Sequence, residues 1–182
     1  MTTKLFFSLI FTLTIINSCG KKNDAEVSTI DVSNQWSIDL SGNVILSLGD
    51  GQWQSKTFTA QELNLFSSLD TANLSGTTTP GSVLETPPGY NSTYPNPFTT
   101  VNALSLRFPM GYSGQFVLKC VVVDSTMTAY FKAAARLTVS SSSTTILFNP
   151  TIPVGRFRFF YTLSSQSNPH FYKSWGNIQK SL

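Results

Sequence analysis

Phe116-Val-Leu-Lys-Cys-Val-Val-Val123 is nearly all apolar, and Arg156-Phe-Arg-Phe-Phe-Tyr-Thr-Leu163 alternates. Successive side chains of a strand point to opposite faces, so a period of two marks β structure where 3.6 would mark a helix. The first run is apolar on both sides and predicts a central strand covered on both faces, with Phe116, Leu118, Cys120 and Val122 sharing one of them. The second places Phe157, Phe159, Tyr161 and Leu163 inward, with the arginines and Phe160 on the other face.

The same period runs outward from these two stretches. Leu104, Leu106 and Phe108 point inward from Ala103–Phe108, and Ala129–Val139 follows as a further strand. Ser140 to Ser143 reads as a hairpin loop, Ile146–Phe148 as a short strand, and Phe171–Ile178 as the closing one. Upstream, Trp36-Ser-Ile-Asp-Leu40 alternates, and Val44, Leu46 and Leu48 share one face beyond a Ser41-Gly42-Asn43 turn. Gly49-Asp50-Gly51 turns the chain into Gln52–Thr59, whose threonines and aromatics favour a strand. One helical signal interrupts: Thr59-Ala-Gln-Glu62 has the form of a capping box, with Leu63, Phe66 and Leu69 near one face. Residues 70–100 form a long connection in which Pro80, Pro87, Pro88, Pro95 and Pro97 prevent a regular ladder. The fold class that follows is all-β: an antiparallel sandwich of about seven to nine strands with at most one short helix.

The N-terminus reads differently. Lys4 precedes an apolar run from Leu5 to Ile16, too short for a permanent membrane span and suited to a signal-peptide core. Ile16-Asn17-Ser18-Cys19-Gly20 resembles a lipobox. The resemblance implies diacylglycerol on the Cys19 thiol and cleavage in front of it. On this reading residues 1–18 are a lipoprotein signal peptide, 19–27 a lipidated cysteine with a flexible tether, and 28–182 one β-sandwich domain. Stable anchoring takes more than one acyl chain, which such a modification supplies. The implied address is the outer membrane, on either its surface or its periplasmic face.

With Cys19 lipidated, Cys120 is the one thiol left and no intramolecular disulfide can form. Its apolar strand suits a buried, inert cysteine. Charge is sparse, at 12% of residues, but polarised. Residues 20–100 hold three basic residues against eight acids, and residues 101–182 hold eight basic residues against Asp124 alone. Either these charges face solvent on different sides of one domain, or the basic half forms a face for an anionic partner such as lipopolysaccharide, peptidoglycan or an acidic glycan.

Tyr94-Pro-Asn-Pro-Phe98, followed by a strand, resembles the opening of C-terminal sorting domains of type IX secretion in Bacteroidetes and of related Ig-like modules such as that of the flagellar hook-capping protein. The likeness extends through residues 94 to about 163, including the Pro153-Val-Gly155 turn into an aromatic strand. It implies an immunoglobulin-like sandwich and a source in that phylum, and fold is what is carried over from it.

Catalytic constellations are not legible. One histidine, His170, and one free cysteine cannot supply a zinc site. No Gly-x-Ser-x-Gly elbow accompanies His170. The nine acids are scattered, and Asp50 lacks the acidic repeat of a calcium loop. The sequence therefore assigns no catalytic, metal-binding or cofactor-binding residue and no cofactor. The aromatics offer contacts instead. Trp36, Trp53 and Trp175 either fill the core or present a platform that stacks on sugar rings. Tyr90 and Tyr94, in the proline-rich connection, are, together with Trp53, the candidates for exposed contacts to a ligand. The expectation is a non-catalytic cell-envelope lipoprotein acting as a structural, adhesion or assembly module. The alternative is a glycan-binding lipoprotein accessory to polysaccharide capture. The expected partners are a membrane, through the N-terminal lipid, and a glycan or an envelope protein; nucleic acid is not expected.

Overall fold

The structure, a computed structural model, describes residues 29–48, 52–69, 91–108, 110, 113–140, 142–165, 168–169 and 171–182. Residues 1–27, which the sequence reading assigns to a signal peptide, Cys19 and a tether, lie outside the described residues, as do Asp50, Tyr90 and His170.

The alternating runs form strands where their periodicity places them. In chain order the elements are β1 (Trp36–Ile38), β2 (Val44–Ser47), α1 (Ala60–Asn64), β3 (Thr93–Tyr94), β4 (Asn102–Arg107), β5 (Gly114–Val123), β6 (Ala129–Val139), β7 (Ser143–Phe148), β8 (Gly155–Ser164) and β9 (Tyr172–Lys180). A three-stranded sheet, β3-β4-β7, faces a four-stranded sheet, β6-β5-β8-β9, and β1 and β2 form a separate hairpin. The pairings between these strands are antiparallel. The order is that of an immunoglobulin-like sandwich, strands A-B-E against C′-C-F-G.

The core lies between the two sheets. Phe116, Leu118, Cys120 and Val122 of β5 and Phe157, Phe159, Tyr161 and Leu163 of β8 meet Leu104, Leu106 and Phe108 from the β4 side. Phe108 stacks on Phe116 with centroids 5.5 Å apart, and Phe148 of β7 meets Phe159 at 5.4 Å. Both spacings are ordinary for packed aromatic pairs.

The outer face of the four-stranded sheet holds a second, smaller core. Val121 and Val123 of β5 and Phe160 of β8 are covered by Phe58, Phe66 and Met127. Phe58 sits edge-on to Phe160 at 5.4 Å. That cover explains why β5 is apolar on both sides. The capping box forms: the Glu62 amide donates to Thr59 Oγ1 at 3.2 Å, and the Thr59 amide donates to Glu62 Oε2 at 2.7 Å. The helix is short, however, so Leu63 is 41% exposed and Leu65 takes its place against the sheet.

Four expectations change. Ser140–Ser143 is not a hairpin loop, because β6 and β7, which flank it, lie in different sheets. Gln52–Thr59 is not a strand. The Trp53 and Lys56 amides donate to the Trp175 and Lys173 carbonyls of β9 at 2.7 and 2.8 Å, after which the chain leaves the edge to carry Phe58 over the outer face. Val44, Leu46 and Leu48 do not share one face. Ser37 pairs with Leu46 and Ile38 with Val44, which leaves Ile45 without an opposite residue. Such a bulge reverses the alternation beyond it; Val44 packs on the core while Ile45, Leu46 and Leu48 are exposed. The described end of the proline-rich connection, residues 91–100, is tied into both sheets. Thr93 and Tyr94 pair with Leu104 and Ala103 of β4, and Phe98 then bridges Lys180 of β9. Residues 93–98 thus switch from one sheet to the other.

Asn96 makes that switch, between Pro95 and Pro97, which have no backbone N–H to give. Its Nδ2 donates to the carbonyls of Trp36 at 2.7 Å and Asn177 at 3.0 Å, and its Oδ1 accepts from the Gln179 amide at 2.8 Å. Its backbone exchanges two bonds of 2.8 Å with Ile38. Asn96 itself is fully buried. Two substitutions test the arrangement by chemical unfolding. Asn96→Ala leaves three buried backbone groups short of a partner and should cost about 3 kcal/mol. Gly176→Ala would set a Cβ 1.9 Å from Trp53 Cε2, so it should cost about 2 kcal/mol or more. Wild-type stability in either variant would contradict the packing described.

Candidate functional site

Strand alternation decides which cations share a surface. On β5, Lys119 points away from the core between Val117 and Val121. On β8 the outward positions are Arg156, Arg158, Phe160, Thr162 and Ser164. On β6 they include Lys132 and Arg136, and on β9 Lys173 and Trp175. The outer face of the four-stranded sheet therefore gathers Lys119, Lys132, Arg136, Arg156, Arg158 and Lys173. Lys56 joins them from above, its Nζ 5.6 Å from the centre of the Trp175 ring. The polarised sequence becomes a basic face.

Not every cation there is available. Arg158 is buried, lies 3.8 Å over the Trp175 ring, donates through Nε to Asn177 Oδ1 at 2.9 Å, and donates through Nη2 to the Asp31 carbonyl. Burial pulls its pKa down, and Glu62 and Asp31 pull it back up. It is a structural cation. Lys119 and Lys173 are half-buried, and Lys132 and Arg136 are exposed. Lys119 Nζ donates to the Leu69 carbonyl at 2.9 Å, and Lys132 Nζ donates to Ser68 Oγ at 3.1 Å. Of the four described acids, Asp39 and Asp124 are folded into their own turns. Asp39 accepts from the Ser41 and Asn43 amides, and Asp124 from those of Thr126 and Thr128.

Two hollows open on the described surface. A shallow one of about 190 Å³ lies on the basic face, lined by Leu63, Phe66, Lys119, Thr162, Ser164, Pro169 and Lys173. A second, of about 250 Å³, opens between the edge strands β6 and β7. The small side chains of Ala133 and Ala135 leave space there over Leu118, Cys120, Ile146 and Phe148. Its walls are mostly carbon. Among the described residues, no three His, Cys, Asp or Glu side chains come together as metal ligands would.

The contacts expected from sequence do not form one site. Trp53 is 2% exposed. Its ring lies on Gly176 and tilts against Phe159 at 6.2 Å, so it fills the sandwich and offers no platform to a sugar. Trp36 is likewise buried. Tyr94 is half-buried on the other sheet, paired with Ala103 and packed on the core. Tyr90 and Cys19 lie outside the described residues. Lys119, Thr162, Ser164 and Lys173 are not among the contacts that sequence reasoning finds. Lys119 is visible there as the lone charge in an apolar strand, but its neighbours depend on pairing register.

No protein-family model matches the chain, and no curated protein matches it. The crystal structure of a glycosyl hydrolase family 2 member from Bacteroides cellulosilyticus is similar at a TM-score of 0.37 and 10% identity, over 48% of this chain and 14% of that one. The chain thus spans about a seventh of that protein's length.

Cys120 provides a check on the larger hollow. Burial pushes its thiol up to about 12, against a smaller opposing effect of the hydrogen bond to the Ala133 carbonyl. Thiolate is the reactive form. Native protein near pH 8 should label with a thiol reagent far more slowly than denatured protein; equal rates would place the sulfur in solvent.

Proposed function

We propose that this protein is a non-catalytic lipoprotein of the cell envelope. Lipid on Cys19 holds the sandwich at the outer membrane, and the basic outer face of the four-stranded sheet engages an anionic envelope component, in an adhesion or assembly role. The supporting observation is the gathering of Lys56, Lys119, Lys132, Arg136, Arg156 and Lys173 on one side of a rigid sheet. Like charges clustered on a surface repel, and an opposite charge brought from outside lowers that energy. A sheet braced on both faces by apolar cores keeps the cluster in fixed geometry. The glycan-binding alternative gains support from one feature, the hollow on the same face with two hydroxyl side chains in its lining.

Two measurements test the proposal in its two parts. Cys19→Ala should abolish metabolic labelling by a palmitate analogue and release the protein from the membrane fraction; undiminished labelling removes the anchor. Lys132→Glu with Arg136→Glu should weaken binding of the protein to isolated envelope fragments, and high salt should do the same by screening. Binding indifferent to both would remove the basic face from the account.

A further inference from the structure

The cations of the basic face are not evenly spread. Lys119 pairs with Thr162, and Thr162 pairs with Lys173, so two lysines flank one hydroxyl in a single row across β5, β8 and β9. Neighbouring strands lie about 4.8 Å apart, which puts the two lysine Cα atoms about 10 Å apart. Side chains of that length reach a common point above Thr162. Ser164, two residues along β8, adds a second hydroxyl on the same face. Leu63, Phe66 and Pro169 complete the lining with carbon. Lys119 is held in place by its bond to the Leu69 carbonyl, and two of its three ammonium protons remain.

Each simple ligand leaves part of this lining idle. An inorganic anion uses the lysines and wastes the apolar wall. A neutral sugar uses the hydroxyls and wall and leaves two positive charges facing each other across a partly apolar hollow. A sugar carrying an acid group uses every part. Its ring C–H face rests on Phe66 and Leu63, its hydroxyls meet Thr162 and Ser164, and its anionic group sits between Lys119 and Lys173. The hollow, of about 190 Å³, has room for one such ring. We propose that it is a subsite for one acidic sugar residue, carboxylated or sulfated, of an envelope or extracellular polysaccharide. The proposal rests on the basic-face reading above and names its ligand class.

Calorimetry on the full chain in detergent micelles tests it, with tetragalacturonate, a sulfated galactan tetramer and maltotetraose as probes. At least one acidic probe should bind, and the one that does assigns the anion; maltotetraose should not. Lys173→Gln should weaken that binding about tenfold, the usual effect of losing a hydrogen bond to a charge. Thr162→Val, an outward and near-isosteric change, should weaken it about fivefold. Lys132→Gln removes a charge of the same face outside the hollow, so it should weaken binding by a clearly smaller factor than Lys173→Gln, about twofold. Equal losses from Lys132→Gln and Lys173→Gln, with none from Thr162→Val, would mean a diffuse field and overturn the subsite while leaving the basic face in place. The subsite is equally overturned if maltotetraose binds as well as the acidic probes, or if none of the three binds while envelope fragments still do. Loss of envelope binding as well removes both proposals.

Discussion

Three buried amides hold this domain in one piece. Asn96, Asn177 and Gln52 join segments distant in sequence, and each uses its side chain as both donor and acceptor. Asn177 Nδ2 donates to the carbonyls of Asn34 and Asp31, its Oδ1 accepts from Arg158, and its backbone amide donates to Gln52 Oε1. Gln52 Nε2 in turn reaches the Asn34 and Leu48 carbonyls. Asn96 ties β1 to β9 while the chain changes sheets. The reason is that the N-terminal segment, including the β1–β2 hairpin, makes few ladder bonds with either large sheet. Its backbone groups still need partners once buried, because an unsatisfied one costs about 1–3 kcal/mol. Polar side chains supply what a ladder would have supplied. A network of this kind stabilises only when complete, so the buried asparagines are as constrained as the phenylalanines beside them.

The second consequence concerns the outer face of the four-stranded sheet. In a two-layer sandwich that face is normally solvated. Here half of it is covered by α1 and the turns around it, through Phe58, Phe66 and Phe160. The other half carries the lysines and arginines. The border between the halves is where the hollow lies. Its apolar wall comes from the edge of the second core, at Leu63 and Phe66, and its charges from the open sheet. A residue such as Lys119 serves both: its stem lies at the edge of the covered region while its ammonium fixes the end of the segment that does the covering. The site is a by-product of how the sheet is braced, which gives it a rigidity that a loop site would lack.

Much of this is legible in the sequence. Alternation in residues 103–108 and 156–163 and the unbroken apolar run at 116–123 place the strands and their inward residues, because a strand writes the cover of each of its faces into the chain. The capping box is legible for a similar reason: both halves of its hydrogen-bond exchange lie within four residues. What escapes is non-local. The bulge at Ile45 depends on how β2 meets β1, and nothing in Val44 to Leu48 announces it. Trp53, flanked by polar residues, reads as a surface candidate. Its ring reaches the core because Gly176, far along the chain, leaves a gap of the right shape. The Tyr94–Phe98 motif reads as a loop marker, whereas its asparagine is the joint between the sheets. Polarised charge is visible, but a face is a matter of register: Lys119, Thr162 and Lys173 become neighbours only through two successive pairings.

The two hollows show why volume alone does not mark a binding site. The larger one exists because β6 presents alanines where β5 and β7 present bulkier side chains. Such a void is a packing shortfall at the mouth of the sandwich; its walls forgo some dispersion contact and offer a ligand little beyond apolar area. The thiol beneath it is neutral and held to a backbone carbonyl, which removes the one reactive atom nearby. The smaller hollow has less space and more chemistry: two cations held at a spacing set by the strands, hydroxyls between and beside them, and a carbon wall. Charge fixed in place before a ligand arrives carries little ordering cost when one binds. On a domain whose folding leaves like charges together, the sheet fixes the strands that carry them, and Lys119 is further held by its bond to the Leu69 carbonyl.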